Sequence, residues 1–189
     1  MKLVKITGRS TGLAKEVIAS LSELGFVVRG YGVGDIDLNN TPSVVETVRD
    51  ADVFINNANY RFSQTEILNE LFKVWRDDPT KHIINISSRA AQPNISKGYL
   101  YAAQKAALEH MANNLIYNSD RMCKISTITL GLLNGDAHSV SYKAVASQIA
   151  AMINSSDECQ ITNITLQHTE NYQLVQALKA ARLKNGNKK

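Results

Sequence analysis

Short apolar runs rich in β-branched residues recur along the chain, and longer segments with the period of amphipathic helices separate them. The apolar runs predict strands at residues 3–7, 26–31, 52–56, 82–87, 124–130 and 161–167. The periodic segments predict helices at about residues 13–24, 41–50, 64–76, 98–118 and 141–153. Most of the strand runs are too apolar for a half-exposed sheet, which is typical of parallel strands covered by helices on both faces.

Alternation of strands and helices predicts an α/β fold with a Rossmann-like, doubly wound, mostly parallel sheet. The 189 residues contain no internal repeat and no low-complexity linker, so we expect a single compact domain over residues 1–175. One interval is short for this architecture, because residues 31–51 must join two core strands. It has room for a short additional strand near residues 35–38 and for one helix after Pro42.

Composition narrows the classes of protein to consider. Hydrophobic residues make up 44% of the chain and charged residues 20%, as in ordinary globular domains. No apolar run reaches the roughly 18 residues of a membrane span, so we expect no membrane partner. Cys123, Cys159 and the four histidines lack the spacing of metal ligands, which predicts no metal site and favours the reducing cytoplasm.

The net charge of +4 is concentrated toward the C-terminal end, where five basic residues fall within residues 176–189. A basic terminus can contact nucleic acid, but a solvated, frayed tail is the more common structure. The aromatic residues do not alternate with basic residues as they do on a nucleic-acid platform. We therefore predict a frayed basic tail over residues 176–189 and no nucleic-acid partner.

A glycine-rich turn follows the first predicted strand, in the sequence "KITGRSTGLAKEV". Gly8 would allow a sharp turn, Gly12 would let the backbone approach a pyrophosphate, and Ala14 is small enough for close helix–strand packing. The following helix N-terminus presents unpaired N–H groups and the positive end of its dipole. Leu13 and Ala14 stand where a P-loop requires Lys and Ser or Thr, so the turn favours a dinucleotide over an ATP-type site.

The segment "YLYAAQKAAL" at residues 99–108 places Tyr101 four residues before Lys105. On a helix these two side chains lie on one face, one turn apart. A nearby ammonium favours phenolate and so makes a tyrosine a candidate acid or base near neutral pH. On these ten residues alone, a surface tyrosine on an alanine-rich helix remains the simpler interpretation.

Four short motifs occur in order along residues 1–131: "TGRSTGLA", "NNAN" at residues 56–59, "NISS" ending at Ser88, and "YAAQK" beginning at Tyr101. They resemble, in turn, the T-G-x-x-x-G-x-G turn, the N-N-A-G motif, the serine-bearing strand and the Y-x-x-x-K motif of the short-chain dehydrogenase/reductase family. Ser88 lies thirteen residues before Tyr101, a separation common in that family. Together the four motifs make the resemblance specific.

The resemblance implies an NAD(P)-dependent oxidoreductase that transfers a hydride between nicotinamide and a small-molecule carbonyl or alcohol. Tyr101 would exchange a proton with the substrate oxygen, Lys105 would lower the pKa of Tyr101 and hold the nicotinamide ribose, and Ser88 would hydrogen-bond the substrate oxygen. Asn69, on the preceding helix, is the candidate fourth catalytic residue. The residues implied to contact the cofactor are Gly8, Arg9, Ser10, Thr11, Gly12, Leu13, Asp37, Asn57, Ala58, Asn59, Tyr101, Lys105, Gly131 and Leu132.

The sequence departs from the family's pattern in three places. Asn59 replaces the last glycine of N-N-A-G, and Leu130 precedes Gly131 where the family has proline. Asparagine is the best substitute for glycine if the backbone there is left-handed. Only residues 132–141 separate Gly131 from the last predicted helix, where the family has a long substrate-covering loop. We therefore keep a second hypothesis, a non-catalytic dinucleotide- or protein-binding module on a trimmed dehydrogenase scaffold.

The choice between NADP(H) and NAD(H) depends on the second predicted strand and the glycine turn. An acidic residue at the end of that strand would select the ribose hydroxyls of NAD, and "FVVRGYGVG" has none there. Arg9 could bind a 2′-phosphate, so we favour NADP(H). The helix at residues 98–118 has apolar residues on more than one face, and its family equivalent commonly forms a dimer interface. We expect a homodimer or homotetramer.

Overall fold

One parallel sheet is the centre of the computed structural model, which describes residues 1–10, 12–92, 98–134, 139–155 and 158–169. The strands of this described part are β1 (Leu3–Thr7), β2 (Val27–Tyr31), β3 (Val53–Asn56), β4 (His82–Ser88), β5 (Lys124–Leu130) and β6 (Asn163–Leu166). Their order across the sheet is β2-β1-β3-β4-β5-β6, and every neighbouring pair is parallel. The predicted α/β fold with a Rossmann-like sheet is confirmed.

Helices cover both faces of this sheet. The described residues form α1 (Gly12–Glu23), α2 (Thr41–Val48), α3 (Ser63–Trp75), α4 (Tyr99–Asn118) and α5 (Tyr142–Ile153). Helices α1 and α5 pack on one face, and α2, α3 and α4 pack on the other. The neighbouring β4 residues Ile83 and Ile84 belong to opposite layers. Because both layers are apolar, successive residues of the four inner strands β1, β3, β4 and β5 are buried, whereas the edge strands β2 and β6 are partly exposed.

The additional strand expected near residues 35–38 is absent from the part of the chain that the structure describes, and this prediction is wrong. The chain turns there instead: the Asp35 N–H donates to the Gly32 carbonyl oxygen at 3.1 Å, and Gly34 has a φ of 97°. As a result β2 is an edge strand of the sheet. The helix expected after Pro42 is confirmed as α2.

The candidate ligand site lies where the chain reverses direction across the sheet, between β1 and β3. From β1 the chain moves outward to β2 and then returns to β3 on the opposite side of β1. Loops leaving two such strands diverge to opposite faces and leave a crevice at the carboxyl ends. Thr7 links the two strands here, because its Oγ1 accepts the N–H groups of Asn57 and Ala58 at 3.1 and 2.9 Å.

The C-terminal predictions fall partly outside the described residues, which end at residue 169. The expected basic tail at residues 176–189 and the last residues of the expected domain lie there. Among the helices that the structure describes, none is long and apolar enough to cross a membrane. Within the same described ranges, no group of three or more His, Cys, Asp or Glu side chains could hold a metal ion.

Candidate active site

Two cavities, both bordered by the turn after β1, open at the carboxyl ends of the strands. The first, about 420 Å³, is called the glycine-turn cavity and is lined by Gly8, Ser10, Tyr31, Gly32, Val33, Ile36, Asp37, Leu38, Asn39, Ala58, Asn59 and Tyr60. The second, about 350 Å³, is called the lysine cavity and is lined by Leu13, Asn57, Ala58, Asn59, Ile86, Ser87, Ser88, Tyr101, Lys105, Leu130, Gly131, Leu133 and Tyr142. Because Ala58 and Asn59 line both, the two cavities form one elongated cleft.

The lysine cavity brings together three of the four predicted catalytic residues, Ser88, Tyr101 and Lys105. Ser88 ends β4, and the other two lie one turn apart near the start of α4, as their spacing predicted. The Lys105 Nζ lies 5.6 Å from the centroid of the Tyr101 ring, within the range of a cation–π contact. Lys105 is 3% exposed and Tyr101 is 40% exposed, so only the tyrosine borders open solvent.

The Ser88 hydroxyl is oriented by the backbone that follows it. Its Oγ accepts the Ala90 N–H at 3.2 Å, at the start of a short 3-10 helix, Arg89–Ala91. An oxygen that accepts this bond keeps its own proton for donation into the cavity. Ser87, which strand periodicity places on the opposite face, also lines the lysine cavity, and its buried Oγ has no hydrogen-bond partner among the described residues.

The Lys105 ammonium is held by two neutral oxygens. Its Nζ donates to Gln64 Oε1 at 2.6 Å and to the Ile86 carbonyl oxygen at 2.9 Å. Burial disfavours the charged form and lowers the pKa of Lys105 from 10.5 to about 8, although Glu109, one turn further along α4, acts in the opposite direction. The Glu109 carboxylate accepts a hydrogen bond from Thr129 Oγ1 at 2.7 Å. Lys105 is therefore a buried amine whose pKa lies well below the usual lysine value.

Asn69, the candidate fourth catalytic residue, does not line the lysine cavity. Asn69 is a half-buried residue of α3 whose Nδ2 donates to Glu70 at 2.9 Å. Gln64, in the first turn of the same helix, is 2% exposed and is the side chain that contacts Lys105. One feature of the sequence indicated that Asn69 lies outside the cavity. The segment between Asn69 and Ser88 is shorter than is usual in the family, so Asn69 lies too far along α3.

The turn after β1 has the sharp backbone conformation expected at its first glycine, Gly8. Gly8 has a φ of 87°, in the left-handed region, and a Cβ there would lie 2.8 Å from Asn57 Nδ2. The N–H groups of Gly8 and Arg9 both donate to the Tyr31 carbonyl oxygen, at 2.7 and 3.0 Å. Asn57 Nδ2 in turn donates to the Thr7 carbonyl oxygen at 2.9 Å. Only glycine fits between this amide and the strand.

Gly12, the first residue of α1, lies against the ring of Tyr142. A Cβ at Gly12 would come 2.4 Å from Tyr142 Cε2 and 2.9 Å from its Oη, so the absence of a side chain makes room for this ring. Tyr142 begins α5, which follows the short segment after Gly131. The ring therefore stands at the helix N-terminus where the sequence predicts a diphosphate site, and sequence reasoning gave no sign of it.

Arg9 is anchored on the end of β2. A Cβ on Gly30 would lie 2.9 Å from Arg9 Cβ, and one on Gly32 would lie 3.1 Å from Arg9 Cγ, so the arginine stem covers two glycines. Arg9 Nε lies 3.1 Å from Asp35 Oδ2, which also accepts the Gly32 N–H at 2.8 Å. The turn thus brings a carboxylate to the end of β2, where the linear sequence has no acid.

The remaining predicted cofactor residues are divided between the cleft and the surface. Those that line a cavity are Ser10, Leu13, Asp37, Asn57, Ala58, Asn59 and Gly131. Leu132 lines neither cavity and is 50% exposed. The left-handed residue of the loop after β3 is Arg61, with a φ of 50°, and not Asn59. Thr11 lies outside the described residues.

The cleft fits an elongated ligand with an anionic centre. At one end, the glycine-turn cavity offers apolar side chains such as Ile36 and Leu38, which suit a planar ring. At the other end, the lysine cavity offers an ammonium, a phenol and a hydroxyl. Between them lie Gly8, where a side chain would collide with Asn57, and the backbone N–H groups of the first turn of α1. These residues fit a dinucleotide, provided that the Tyr142 ring yields or shares the space in front of Gly12.

Several solved dehydrogenase structures resemble this chain. The 3α-hydroxysteroid dehydrogenase from Pseudomonas sp. B-0831, complexed with NADH, has a TM-score of 0.73 at 16% identity, covering 90% of this chain and 98% of that chain. The alcohol dehydrogenase from Thermococcus sibiricus, complexed with 5-hydroxy-NADP, has a TM-score of 0.71 at 14% identity, covering 89% and 97%. A short-chain dehydrogenase from Streptomyces avermitilis has a TM-score of 0.70 at 16% identity, covering 98% and 95%.

These likenesses are structural. No protein-family model and no curated protein sequence matches the chain. The three similar structures are nevertheless covered almost completely, at 95% to 98% of their own chains, with TM-scores of 0.70 to 0.73. This chain has the fold of the short-chain dehydrogenases and reductases.

Proposed function

We propose that this chain is an NAD(P)-dependent oxidoreductase of the short-chain dehydrogenase type, and that it transfers a hydride between nicotinamide and a small-molecule carbonyl or alcohol. The observation that carries the proposal is the buried Lys105 ammonium, 5.6 Å from the Tyr101 ring centroid in a cavity that also contains Ser88. Burying an ammonium is unfavourable. A protein that only binds has no need of an amine, a phenol and a hydroxyl at one point.

Tyr101 is the proposed acid and base. Its phenol would give a proton to the substrate oxygen when a carbonyl is reduced and take one back when an alcohol is oxidised. The Ser88 hydroxyl would donate a hydrogen bond to the same substrate oxygen and stabilise the charge that develops there. When bound, the nicotinamide supplies or accepts the hydride.

The proposed cofactor is NADP(H) or NAD(H), lying along the cleft. Asp37 and its neighbours in the glycine-turn cavity would hold the adenosine end, Gly8 and the start of α1 would hold the diphosphate, and Lys105 would hold the nicotinamide ribose. The two similar structures with bound cofactors differ in this respect, since one is complexed with NADH and the other with 5-hydroxy-NADP. Preference must therefore come from residues of this chain.

Arg9 and Asp35 support opposite preferences. The Arg9 guanidinium, beside the glycine-turn cavity, supports NADP(H), because it can bind a 2′-phosphate. The Asp35 carboxylate, 3.1 Å from Arg9 Nε, supports NAD(H), because it would repel that phosphate and accept ribose hydroxyls. We propose NADP(H), since the Arg9 side chain is 54% exposed and can turn toward a ligand, whereas the Asp35 carboxylate is fixed by the Gly32 N–H.

Titration of the purified protein with NADPH and, separately, with NADH, followed by nicotinamide fluorescence, tests cofactor binding. We expect both to bind, with NADPH about tenfold tighter, equivalent to about 1.4 kcal/mol. Arg9→Gln should remove the difference by weakening NADPH binding, and Asp35→Asn should enlarge it. Binding of neither nucleotide would contradict the proposed function.

A screen of carbonyl compounds and alcohols with the tighter-binding nucleotide then tests Tyr101. Tyr101→Phe should lower kcat by a factor of about 10² to 10⁴, because it removes the proton-transferring oxygen. Tyr99→Phe is the matched control, since Tyr99 lies two residues away and is 84% exposed. Equal turnover by wild type and Tyr101→Phe would show that this mechanism is wrong.

A non-catalytic binding module is the second candidate function. It is supported by the Tyr142 ring, which stands at the expected diphosphate position, and by the short segment between Gly131 and α5. Such a module would hold a dinucleotide or a protein partner without turnover. Steady turnover of any substrate in the screen, well above the Tyr101→Phe background, would exclude it.

We further propose a homodimer or homotetramer that assembles through α4 and works in the cytoplasm. Three large side chains of this helix are strongly exposed, at 84%, 65% and 67%: Tyr99, Leu100 and Tyr117. Light scattering coupled to size exclusion should give the mass of two or four chains for the wild type. Leu100→Glu combined with Tyr117→Glu should give the mass of one chain, because charges oppose burial of this face. A monomeric wild type would contradict this proposal.

A further inference from the structure

Gln64 is a buried side chain for which the family resemblance predicts no role, yet it makes the shorter of the two hydrogen bonds to Lys105, at 2.6 Å. We infer that Gln64 is a positioning residue, which holds the Lys105 amine beside Tyr101 by means of an uncharged acceptor. Its contribution to turnover rests on the proposed function, but its effect on Lys105 does not. The geometry around Gln64 supports this role in three ways.

First, the amide of Gln64 can adopt only one orientation. Nε2 donates to the Asn56 carbonyl oxygen at 2.6 Å and lies 3.2 Å from the Ile86 carbonyl oxygen. A flipped amide would place its oxygen against these two carbonyls and its NH₂ group against the Lys105 ammonium, so three contacts would become repulsive. Oε1 is therefore fixed toward Nζ, and the side chain acts as an acceptor for the amine.

Second, Gln64 is held at its backbone as well as at its side chain. Its carbonyl oxygen accepts Asn56 Nδ2 at 2.8 Å, so Asn56 bonds both ends of the residue. Gln64 and Asn56 are 2% and 0% exposed, and Asn56 also donates to Asn85 Oδ1 at 3.1 Å. The first turn of α3 is thereby fixed to the end of β3. A rigid acceptor restricts Lys105 to one place.

Third, the acceptors that touch the amine are uncharged. Gln64 and Ile86 take two of its three protons, which leaves one for a ligand in the cavity. Among the described residues, the titratable groups near Nζ are both from α4: Tyr101, whose ring it faces, and Glu109, whose carboxylate is bonded to Thr129. A carboxylate at position 64 would pair with the amine and keep it charged. Glutamine instead fixes the amine and leaves its protonation responsive.

The pKa of Lys105, measured without nucleotide, tests this inference. Protein labelled with ¹³C at lysine Cε is titrated by NMR, and the signal absent from Lys105→Met identifies the residue. Gln64→Glu should raise this pKa by about 1 or more, because a carboxylate stabilises the ammonium. Gln64→Leu should lower it by about 1, because one charge-assisted hydrogen bond is lost.

Gln104→Glu and Gln104→Leu are the matched controls. Gln104 precedes Lys105 on α4, is 8% exposed, and has its Oε1 bonded to Asn59 at 3.2 Å instead of to the amine. If Gln64 had only a structural role, the Glu and Leu variants at positions 64 and 104 would all lower the free energy of unfolding. The pKa of Lys105 would then not rise in Gln64→Glu and fall in Gln64→Leu. An unchanged pKa of Lys105 in folded Gln64→Glu and Gln64→Leu would overturn the inference.

If the Gln64 variants do not fold, an NMR titration of the wild-type protein tests the same inference. The side-chain NH₂ signals of Gln64, in protein labelled with ¹⁵N at glutamine, should shift with the same midpoint as the Lys105 Cε signal. Signals of Gln64 that do not respond to Lys105 titration would overturn the inference. Both measurements are independent of nucleotide, so a failed titration with NADPH and NADH would remove the proposed function and leave this test standing. If turnover is found, Gln64→Glu should also displace the alkaline limb of the kcat profile.

Discussion

The two ends of the cleft use their cationic side chains in opposite ways. In the lysine cavity, the Lys105 ammonium is 3% exposed and is held by neutral oxygens. Beside the glycine-turn cavity, the Arg9 guanidinium belongs to a 54% exposed side chain and pairs with the carboxylate of Asp35. Water screens an exposed pair, so it adds little to stability and can exchange partners. A buried amine has no such screening, so its neighbours determine its pKa.

This difference suits two tasks. An amine whose protonation depends on a fixed surrounding is suited to chemistry, whereas an arginine that can leave one anion for another is suited to recognition. The buried end also requires more of its supporting residues, because every polar atom around it must find a partner inside the protein. Asn56 and Gln64 contribute to this by bonding to each other twice, although Asn56 Oδ1 and Ser87 Oγ have no hydrogen-bond partner among the described residues.

The largest expected effect is the loss of that support. Asn56 Nδ2 donates to the Gln64 carbonyl oxygen at 2.8 Å and to Asn85 Oδ1 at 3.1 Å. Asn56→Ala removes both of these bonds and leaves the buried Asn85 Oδ1 without its donor, so we expect the free energy of unfolding, measured in urea, to fall by about 4 kcal/mol. Asn39→Ala is the counterpart in the glycine-turn cavity, where Asn39 is exposed and bonds only to Asp37, and it should cost less than about 0.5 kcal/mol. Equal losses would refute the comparison.

Lys105 should make stability depend on pH in the alkaline range. Its pKa is about 8 in the folded protein and 10.5 in the unfolded chain, so between these values the unfolded chain binds more protons. The free energy of unfolding due to Lys105 therefore rises from pH 8 to pH 10.5, by up to about 3 kcal/mol. Below pH 8 the folded protein bears the full cost of burying the ammonium.

Urea unfolding of wild type and Lys105→Met at pH 7 and at pH 10.5 isolates this contribution. The wild type should gain about 3 kcal/mol relative to the variant between the two pH values. Lys143→Met, at an exposed residue of α5, is the control and should follow the wild type at both. If the difference in free energy of unfolding between wild type and Lys105→Met is the same at both pH values, the amine does not titrate in this range.

A smaller effect is expected between the two ends of the cleft, where Tyr142 covers Gly12. Gly12→Ala places a Cβ 2.4 Å from the ring, so we expect a loss of about 2 kcal/mol in the free energy of unfolding. In a Tyr142→Ala background the same substitution should cost less than about 0.5 kcal/mol, because the obstacle is gone. Equal costs in the two backgrounds would show that the ring does not keep this position small.

The smallest effect is expected in the exposed pair. Asp35→Asn should change the free energy of unfolding by less than about 0.5 kcal/mol, because an amide oxygen can still accept the Gly32 N–H and the lost attraction to Arg9 is screened. Urea unfolding of Asp35→Asn and Asn56→Ala under the same conditions gives the two free energies of unfolding for comparison. A loss above about 2 kcal/mol would mean that the exposed end is built as rigidly as the buried one.

The sequence by itself determined the elements of the fold and identified three candidate residues of the lysine cavity, Ser88, Tyr101 and Lys105. Apolar runs located every strand that the structure describes, and the signal was strongest for the inner strands, because parallel strands buried on both faces are largely apolar. Spacing alone put Tyr101 and Lys105 on one helical face, and the strand before them ended at Ser88 as its motif indicated. These features are local, since each depends on residues within one element.

Only the tertiary structure decided which side chains meet across elements. Gln64 and Lys105 are 41 residues apart in the sequence. The position of α3 over the sheet brings Gln64 into contact with Lys105 and leaves Asn69 outside the cavity. The missing strand at residues 35–38 and the Tyr142 ring on Gly12 depend likewise on how short connections fold back on the sheet. A periodic pattern specifies a helix or strand and its buried face. It does not specify the distance between two elements, and that distance determines each of these contacts.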